Sequence, residues 1–298
     1  MKFDVNDLEG GPFESLEDLN KALAAHFEKM NSRAIADFQG LSPTQMHLLL
    51  NQTFQKDSPL KVKTPTNAQL ERIPFFLLVV DLLKAVQAAG QVKATSKGNL
   101  PVALCKELYA KKYILHEMIE SGITKAYKEE DYQALHAAHI VSKKAGFLRL
   151  LKGKIMLTKK AEKLLQPEHQ PTLFEELLET YCKKFNWGYL DGIEDQSAAQ
   201  NEMGFLMLLL SKFGDQDRKS AFYAEKCLEA FPILKTHLGK GYFPATVEMS
   251  HAVEIRFLHH FAAWFGLATA VVVENVRYQR DQSYHKTPLM DELFGFVV

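Results

Sequence analysis

Apolar residues recur three and four positions apart over much of the chain, the spacing that sets them on one face of a helix. Leu16, Leu19, Leu23 and Phe27 follow Ser15 in this way. Ser42-Pro43 reads as a second helix start, with serine capping free amides and proline filling the first turn, ahead of Met46, Leu49 and Leu50. Residues 55–67, rich in Lys, Pro and Thr, read as a loop. Residues 75–86, 202–210 and 257–265 are different, being apolar on more than one face. A helix of that kind must be enclosed by other elements or by another chain. These three are therefore expected at the centre of the protein.

A longer pattern overlies the helical one. A helix ends at Gly90 and is followed by Gln91-Val92-Lys93-Ala94 and Thr95. Another ends at Gly146 and leads through Phe147, the turn Lys152-Gly153-Lys154 and Ile155-Met156-Leu157 to Thr158. A third ends at Gly266 and leads through an apolar stretch and a long polar loop to Thr287. At each joint glycine can take the left-handed conformation that closes a helix, and threonine can cap the next one. A fourth stretch, with Gly214 and Ser220, has the stop and the cap but no evident strand. The four caps fall every sixty-odd positions, which suggests duplicated small units. The pattern predicts a mainly α, multi-helical protein with short β-hairpins. Strands are expected near 147–157 and 267–285 only. Two prolines within residues 166–172 mark the main boundary. The expected regions are an N-terminal helical part (1–90), a basic middle domain (91–166) and a C-terminal helical domain (167–298).

Composition narrows the class. With 47% hydrophobic and 24% charged residues, the chain has the profile of a globular protein and not a disordered one. The net charge of zero conceals an asymmetry, since residues 91–165 carry 15 basic and 7 acidic side chains while both flanks are acidic. Between Lys143 and Lys163 there are eight basic residues against Glu162 alone. Cys105, Cys182 and Cys227 are scattered and form no CxxC pair, which suggests buried thiols in a reducing compartment. No signal peptide or apolar run of membrane-spanning length is evident, so a cytoplasmic protein is expected, with no membrane partner.

Residues 100–165 resemble the winged-helix superfamily of helix-turn-helix domains. The likeness rests on helical stretches at 100–110, 115–119 and 132–145, then Ala145-Gly146-Phe147-Leu148, the hairpin at 148–157 and a closing helix at 158–165. Residues 257–293 resemble a degenerate second copy. The whole chain also resembles bacterial proteins to which no function is attached. In the superfamily the helix before the wing enters the major groove and the wing touches the backbone. The resemblance thus makes Gln133, His136, His139, Lys143 and Lys144 groove-facing, and Arg149, Lys152 and Lys154 the wing. This helix departs from the pattern in carrying four alanines and few side chains that read base edges. Its charge, with that of Lys159 and Lys160, suits phosphate contact.

Other chemistry is thinly signalled. His136 and His139 are three apart, the spacing of two metal ligands on a helix, but no third ligand stands at helical spacing apart from Asp131 or Glu130 one turn earlier. Glu248 and His251 have the Glu-x-x-His spacing of di-iron bundles without a second copy to face them. His116-Glu117-Met118-Ile119-Glu120 lacks the second histidine of a zinc-protease motif, and no GxSxG or GxGxxG occurs. No cofactor is called for, and nothing in the sequence asks for an enzyme. Trp187 and Tyr189 stand in a glycine-containing loop as candidates for a protein contact, the alternative being a lid over the helical core. The expectation is a non-enzymatic binding protein touching nucleic acid through its middle domain. A helical protein-interaction scaffold is the alternative.

Overall fold

A computed structural model describes residues 13, 15–125, 128–191, 197–240, 242–276 and 279–298. The chain is mainly helical, at 57% of residues, with a few short antiparallel strands. It runs through α1 (Leu16–Ser32), α2 (Pro43–Asn51), β1 (Leu60–Val62) and α3 (Asn67–Leu70) into the apolar α4 (Pro74–Ala89). Then come β2 (Val92–Lys93), α5 (Val102–Tyr109), α6 (Glu117–Glu120) and α7 (Gln133–Lys144). The hairpin β3 (Leu148–Leu151) and β4 (Lys154–Leu157) follows, with α8 (Lys159–Leu164) behind it. The rest begins with α9 (Gln170–Lys183), α10 (Met203–Phe213), α11 (Ser220–Ala230), α12 (Leu234–His237) and α13 (Ala245–Ala252). A π-helix, Val253–Ala263, continues α13 and leads to the hairpin β5 (Ala268–Val276) and β6 (Gln279–Lys286), α14 (Pro288–Leu293) and β7 (Phe294–Phe296).

Local signals place the helix starts. Ser42 and Gln45 form a reciprocal capping box at α2, and Pro74 occupies the first turn of α4. Gly90, at φ +67°, closes α4 in a conformation that costs a side-chain-bearing residue more than glycine.

The joints after Gly146 and Gly266 are the same construction. Each glycine has a left-handed φ, +75° and +70°. The next amide reaches back to the preceding helix, Phe147 to the Ser142 carbonyl at 2.8 Å and Leu267 to that of Ala262 at 2.7 Å. A threonine then shuts each hairpin. The Thr158 hydroxyl donates to the Gly146 carbonyl at 2.8 Å, and the Thr287 hydroxyl donates to the Gly266 carbonyl at 2.6 Å. The backbone amides of both threonines repeat the match, bonding the Phe147 and Leu267 carbonyls at 3.0 and 2.8 Å.

The four glycine stops therefore pair off into two units instead of four repeats. In the first, α4 ends at Gly90, β2 follows and pairs with β4, and the sheet order is β2-β4-β3. In the second, α10 ends at Gly214, and Arg218 forms an antiparallel bridge with Tyr284 on β6, which pairs in turn with β5. The stretch that shows no strand in sequence supplies this bridge. It is too short to carry an alternating pattern. α4 packs on α7 and β4, so the first unit begins before residue 91. Residues 166–172 form no open linker. Pro167 starts a 3-10 turn and Pro171 lies in the first turn of α9.

Strands also occur outside the two hairpins. β1, within the stretch read as loop, pairs antiparallel with β7, Lys61 opposite Gly295. Strands of three residues give no periodicity to detect.

One hydrophobic core extends from Leu41 to Phe294, and the buried faces of α4, α10 and the π-helix lie inside it. Leu78, Leu208 and Phe261 are fully enclosed there. Tyr181 of α9 sits at an aromatic centre. Its ring lies 5.1 Å from that of Phe75, 5.7 Å from Trp187 and 6.2 Å from Phe261, and its hydroxyl donates to the His260 carbonyl at 2.7 Å. Phe75 stacks on Trp264 at 5.6 Å. The two units thus share one interior. α1 is the exception, packing on α2 with no fully buried residue.

Candidate functional site

The first unit presents a basic sheet. β3 and β4 pair Leu148 with Leu157, Arg149 with Met156, Leu150 with Ile155 and Leu151 with Lys154. Side chains alternate across a strand, so Leu148, Leu157 and Ile155 turn to the core and Arg149, Leu151, Lys154 and Met156 turn outward. β2 extends that outer face by setting Lys93 directly opposite Lys154. Because the Ala94 amide donates to the Gly153 carbonyl at 2.9 Å, Lys93 and Lys154 form the closer, non-hydrogen-bonded kind of pair. Like charges so placed repel. No acid among the described residues pairs with either.

The turn at the tip adds to this. Lys152 and Gly153 both have positive φ, +49° and +71°, making the two-residue type I′ turn that matches the twist of a hairpin. Asn or Gly takes its first position at least strain, but here a lysine carries its charge to the outermost point. Arg149, Met156 and Lys159 also line one shallow cavity of about 370 Å³ beside Gly90, together with the acid Glu162. Lys93, Arg149, Lys154 and Lys159 therefore border a common exposed surface, with Lys152 at its rim. Lys143 and Lys144 are exposed at the C-terminal end of α7. Lys160 is committed elsewhere. Its ammonium bonds the Ala145 carbonyl at 3.0 Å and pairs with Glu176 of α9.

The other residues that the resemblance made groove-facing are turned inward. Glu129, wholly buried in a 3-10 turn, lies between two histidines of α7. His136 Nδ1 is 2.6 Å from its Oε1, His139 Nδ1 is 2.9 Å from its Oε2, and the Leu100 amide donates to Oε2 at 2.5 Å. Burial would raise this carboxyl's pKa, but the bonds from His136 and His139 outweigh it and hold the group down at about 2. An ionised carboxylate only accepts, so both Nδ1 atoms carry protons. His136 Nε2 faces the Tyr189 hydroxyl at 3.4 Å. Gln133 donates its amide to the Leu190 carbonyl at 3.1 Å. This arrangement spends both histidines on fixing α7. Sequence reasoning comes within two residues of this carboxylate, naming Glu130 and Asp131 beside the histidine pair, but gives no sign of Glu129 itself.

The remaining candidates are placed as follows. Among the described residues no group of three or more His, Cys, Asp or Glu side chains is arranged to hold a metal ion. Glu248 accepts the Gly239 amide at 2.8 Å, and His251 packs edge-on against Phe243. The three thiols are buried, and burial raises the pKa of each, Cys105 to about 12, so they stay protonated. Trp187 and Tyr189 part company. Trp187 is 1% exposed, donates to the Tyr181 carbonyl at 3.0 Å and stacks on Phe261, and so closes the core as a lid. Tyr189 is 60% exposed and rests on His136. No described helix is long and apolar enough to cross a membrane. Compared with protein-family models, with curated proteins and with solved structures, the chain finds no match.

Proposed function

We propose that the first unit is a winged helix that binds a nucleic-acid duplex, holding its phosphates on the outer face of the β2-β4-β3 sheet, and that the protein binds without catalysing a reaction. The order helix, strand, helices and hairpin supports the winged-helix reading. The observation that carries the binding reading is Lys93 opposite Lys154, with Arg149, Lys152 and Lys159 close by and no acid paired to any of them among the described residues. Such a surface is relieved by a polyanion, which gains affinity by releasing its counterions.

The test is fluorescence anisotropy with a 24-base-pair duplex at two salt concentrations. Wild-type protein binds, and affinity falls as salt rises. Lys152→Glu with Lys154→Glu reduces binding at low salt by tenfold or more, while circular dichroism shows an unchanged fold. Equal binding by the two proteins would remove the wing from the proposal. A second reading, a protein partner, is favoured by Leu151, which is 49% exposed on the edge strand beside Lys154. Contact of that kind would depend on Leu151 more than on salt.

A further inference from the structure

We infer that the duplex is held without regard to its base sequence, because the helix that would read bases is sealed inside the protein. This inference rests on the proposed function and sharpens it.

Reading bases requires an element that enters a groove carrying uncommitted donors and acceptors. α7 offers none at its surface beyond two lysines, because the His139 Nε2 and Ser142 Oγ that lack a partner are both wholly buried. Its residues from Ala134 to His139 are all buried. Gln133 is spent on the Leu190 carbonyl and both histidines on Glu129. On their other side, α7 packs against α4 and α9. Among the described residues the exposed, unpaired side chains of α7 are Lys143 and Lys144, and lysine is a point charge with rotatable donors. Freeing α7 would strand Glu129, a wholly buried carboxylate, without its two histidines.

The sheet cannot take over the task. The major groove, about 12 Å wide, admits a helix or a two-stranded ribbon. Here the ribbon has a third strand, β2, along one edge, and its inner face is fixed to the core through Leu148, Ile155 and Leu157. What it presents outward is Lys93, Arg149, Leu151, Lys154 and Met156. No amide or hydroxyl side chain stands among them, and Arg149 alone has the fork that pairs with a guanine edge. It lies at the neck of the hairpin, three residues from the tip. Cations on a broad, backed surface meet phosphates.

Two measurements on the full chain decide it. Anisotropy with three 24-base-pair duplexes of unrelated sequence and differing GC content should give dissociation constants within threefold of one another. Selection from a random-sequence duplex pool should return no consensus. The slope of log affinity against log salt should correspond to about three to five phosphates at roughly 0.9 per contact. A preference above tenfold, or a recovered consensus, overturns the inference while leaving duplex binding standing. Absence of binding to every duplex overturns both. Gln133→Ala gives a further check, since a base-reading helix would lose discrimination, whereas a sealed one leaves affinity for all three duplexes unchanged.

Discussion

The two units close their hairpins with the same glycine and threonine bonds, yet they dispose of charge in opposite ways. In the first, Lys154 faces Lys93 across the sheet and no acid among the described residues pairs with either. In the second, Lys286 at the end of β6 bonds Asp215 at 3.2 Å, Asp291 at 2.8 Å and the Ser211 carbonyl at 2.8 Å. His285 beside it meets Asp217 at 3.0 Å. The helix before each hairpin is pinned by a buried ionic group, but with the sign reversed. α7 is held by the Glu129 carboxylate between two imidazoles. The π-helix is held through Arg256, whose Nε and Nη2 meet Asp191 at 2.6 and 2.9 Å while Nη1 donates to the Ala198 carbonyl. One construction thus carries a cationic surface in one place and a neutralised strut in the other. The charges grafted onto the units separate their roles, not the units themselves.

The largest expected effect comes from breaking the second pin. Arg256 is fully buried, so Asp191→Ala removes the carboxylate that meets its Nε and Nη2 in the interior. Such losses cost about 3–5 kcal/mol. Urea unfolding should show this, and Arg256→Met combined with Asp191→Leu should recover much of it, because removing both charges removes the desolvation penalty. A single-mutant loss below ~1 kcal/mol would mean that water reaches the pair.

The first pin should cost less in neutral solution and show itself in acid. Glu129→Ala strands the Leu100 amide and two imidazole N–H groups, each formerly bonded to a charged acceptor. A loss of about 2–3 kcal/mol follows from bonds of that type. The pH dependence has a definite sign. Glu129 is held at about 2, below its unfolded value, so its contribution is complete above the ordinary carboxylate range and is lost as pH falls toward 2. In the Glu129→Gln variant that part of the acid transition should disappear.

His260 titrates earlier, and it belongs to the second unit. Burial pushes its pKa down to about 3, and His259 adds to this while Asp191 opposes it. The unfolded chain binds this proton at about 6.5 and the folded chain does not until about 3. Stability attributable to His260 is therefore full above 6.5 and lost as pH falls through the window below it. The slope approaches ~1.4 kcal/mol per pH unit. His260→Phe should flatten the stability profile between pH 6 and 5, where Glu129 is still silent. An unchanged slope would locate the acid sensitivity elsewhere.

These pins mark the limit of what the sequence discloses. Helix periodicity, the apolar runs at Phe75 and Phe205, and the glycine stops are repeated local signals, and each leads to its element. The basic residues of the β3-β4 hairpin were legible too, since charge on an alternating strand falls on one face. Lys93 was hidden because β2 has only two residues, and its neighbour across the sheet lies sixty positions away. Glu129 and Asp191 were hidden for a related reason. A carboxylate in an acidic run looks solvated, and only three-dimensional packing reveals the His or Arg that draws it inside. Trp187 misled in the same manner, because a loop aromatic reads alike whether it faces outward or covers a core.

The smallest effect tests whether the shared joint is equally important to both units. Thr158 and Thr287 each donate to a glycine carbonyl, but Thr158 also accepts the Ala161 amide at 3.2 Å and so caps α8. The side chain of Thr287 caps nothing, and Pro288 covers the start of α14 instead. Thr158→Ala should therefore lose a cap and a bond, about 1–2 kcal/mol together, and Thr287→Ala the bond alone, about 0.5–1.5 kcal/mol. Serine keeps the hydroxyl at both sites and should restore most of either loss. The two alanine variants should also differ in where they loosen the chain. Hydrogen exchange should speed up at the first amides of α8 in Thr158→Ala, while α14 in Thr287→Ala keeps its protection, since proline has no amide to expose. If both variants cost the same and α8 stays protected, the cap at Thr158 contributes nothing and the joints are energetically alike.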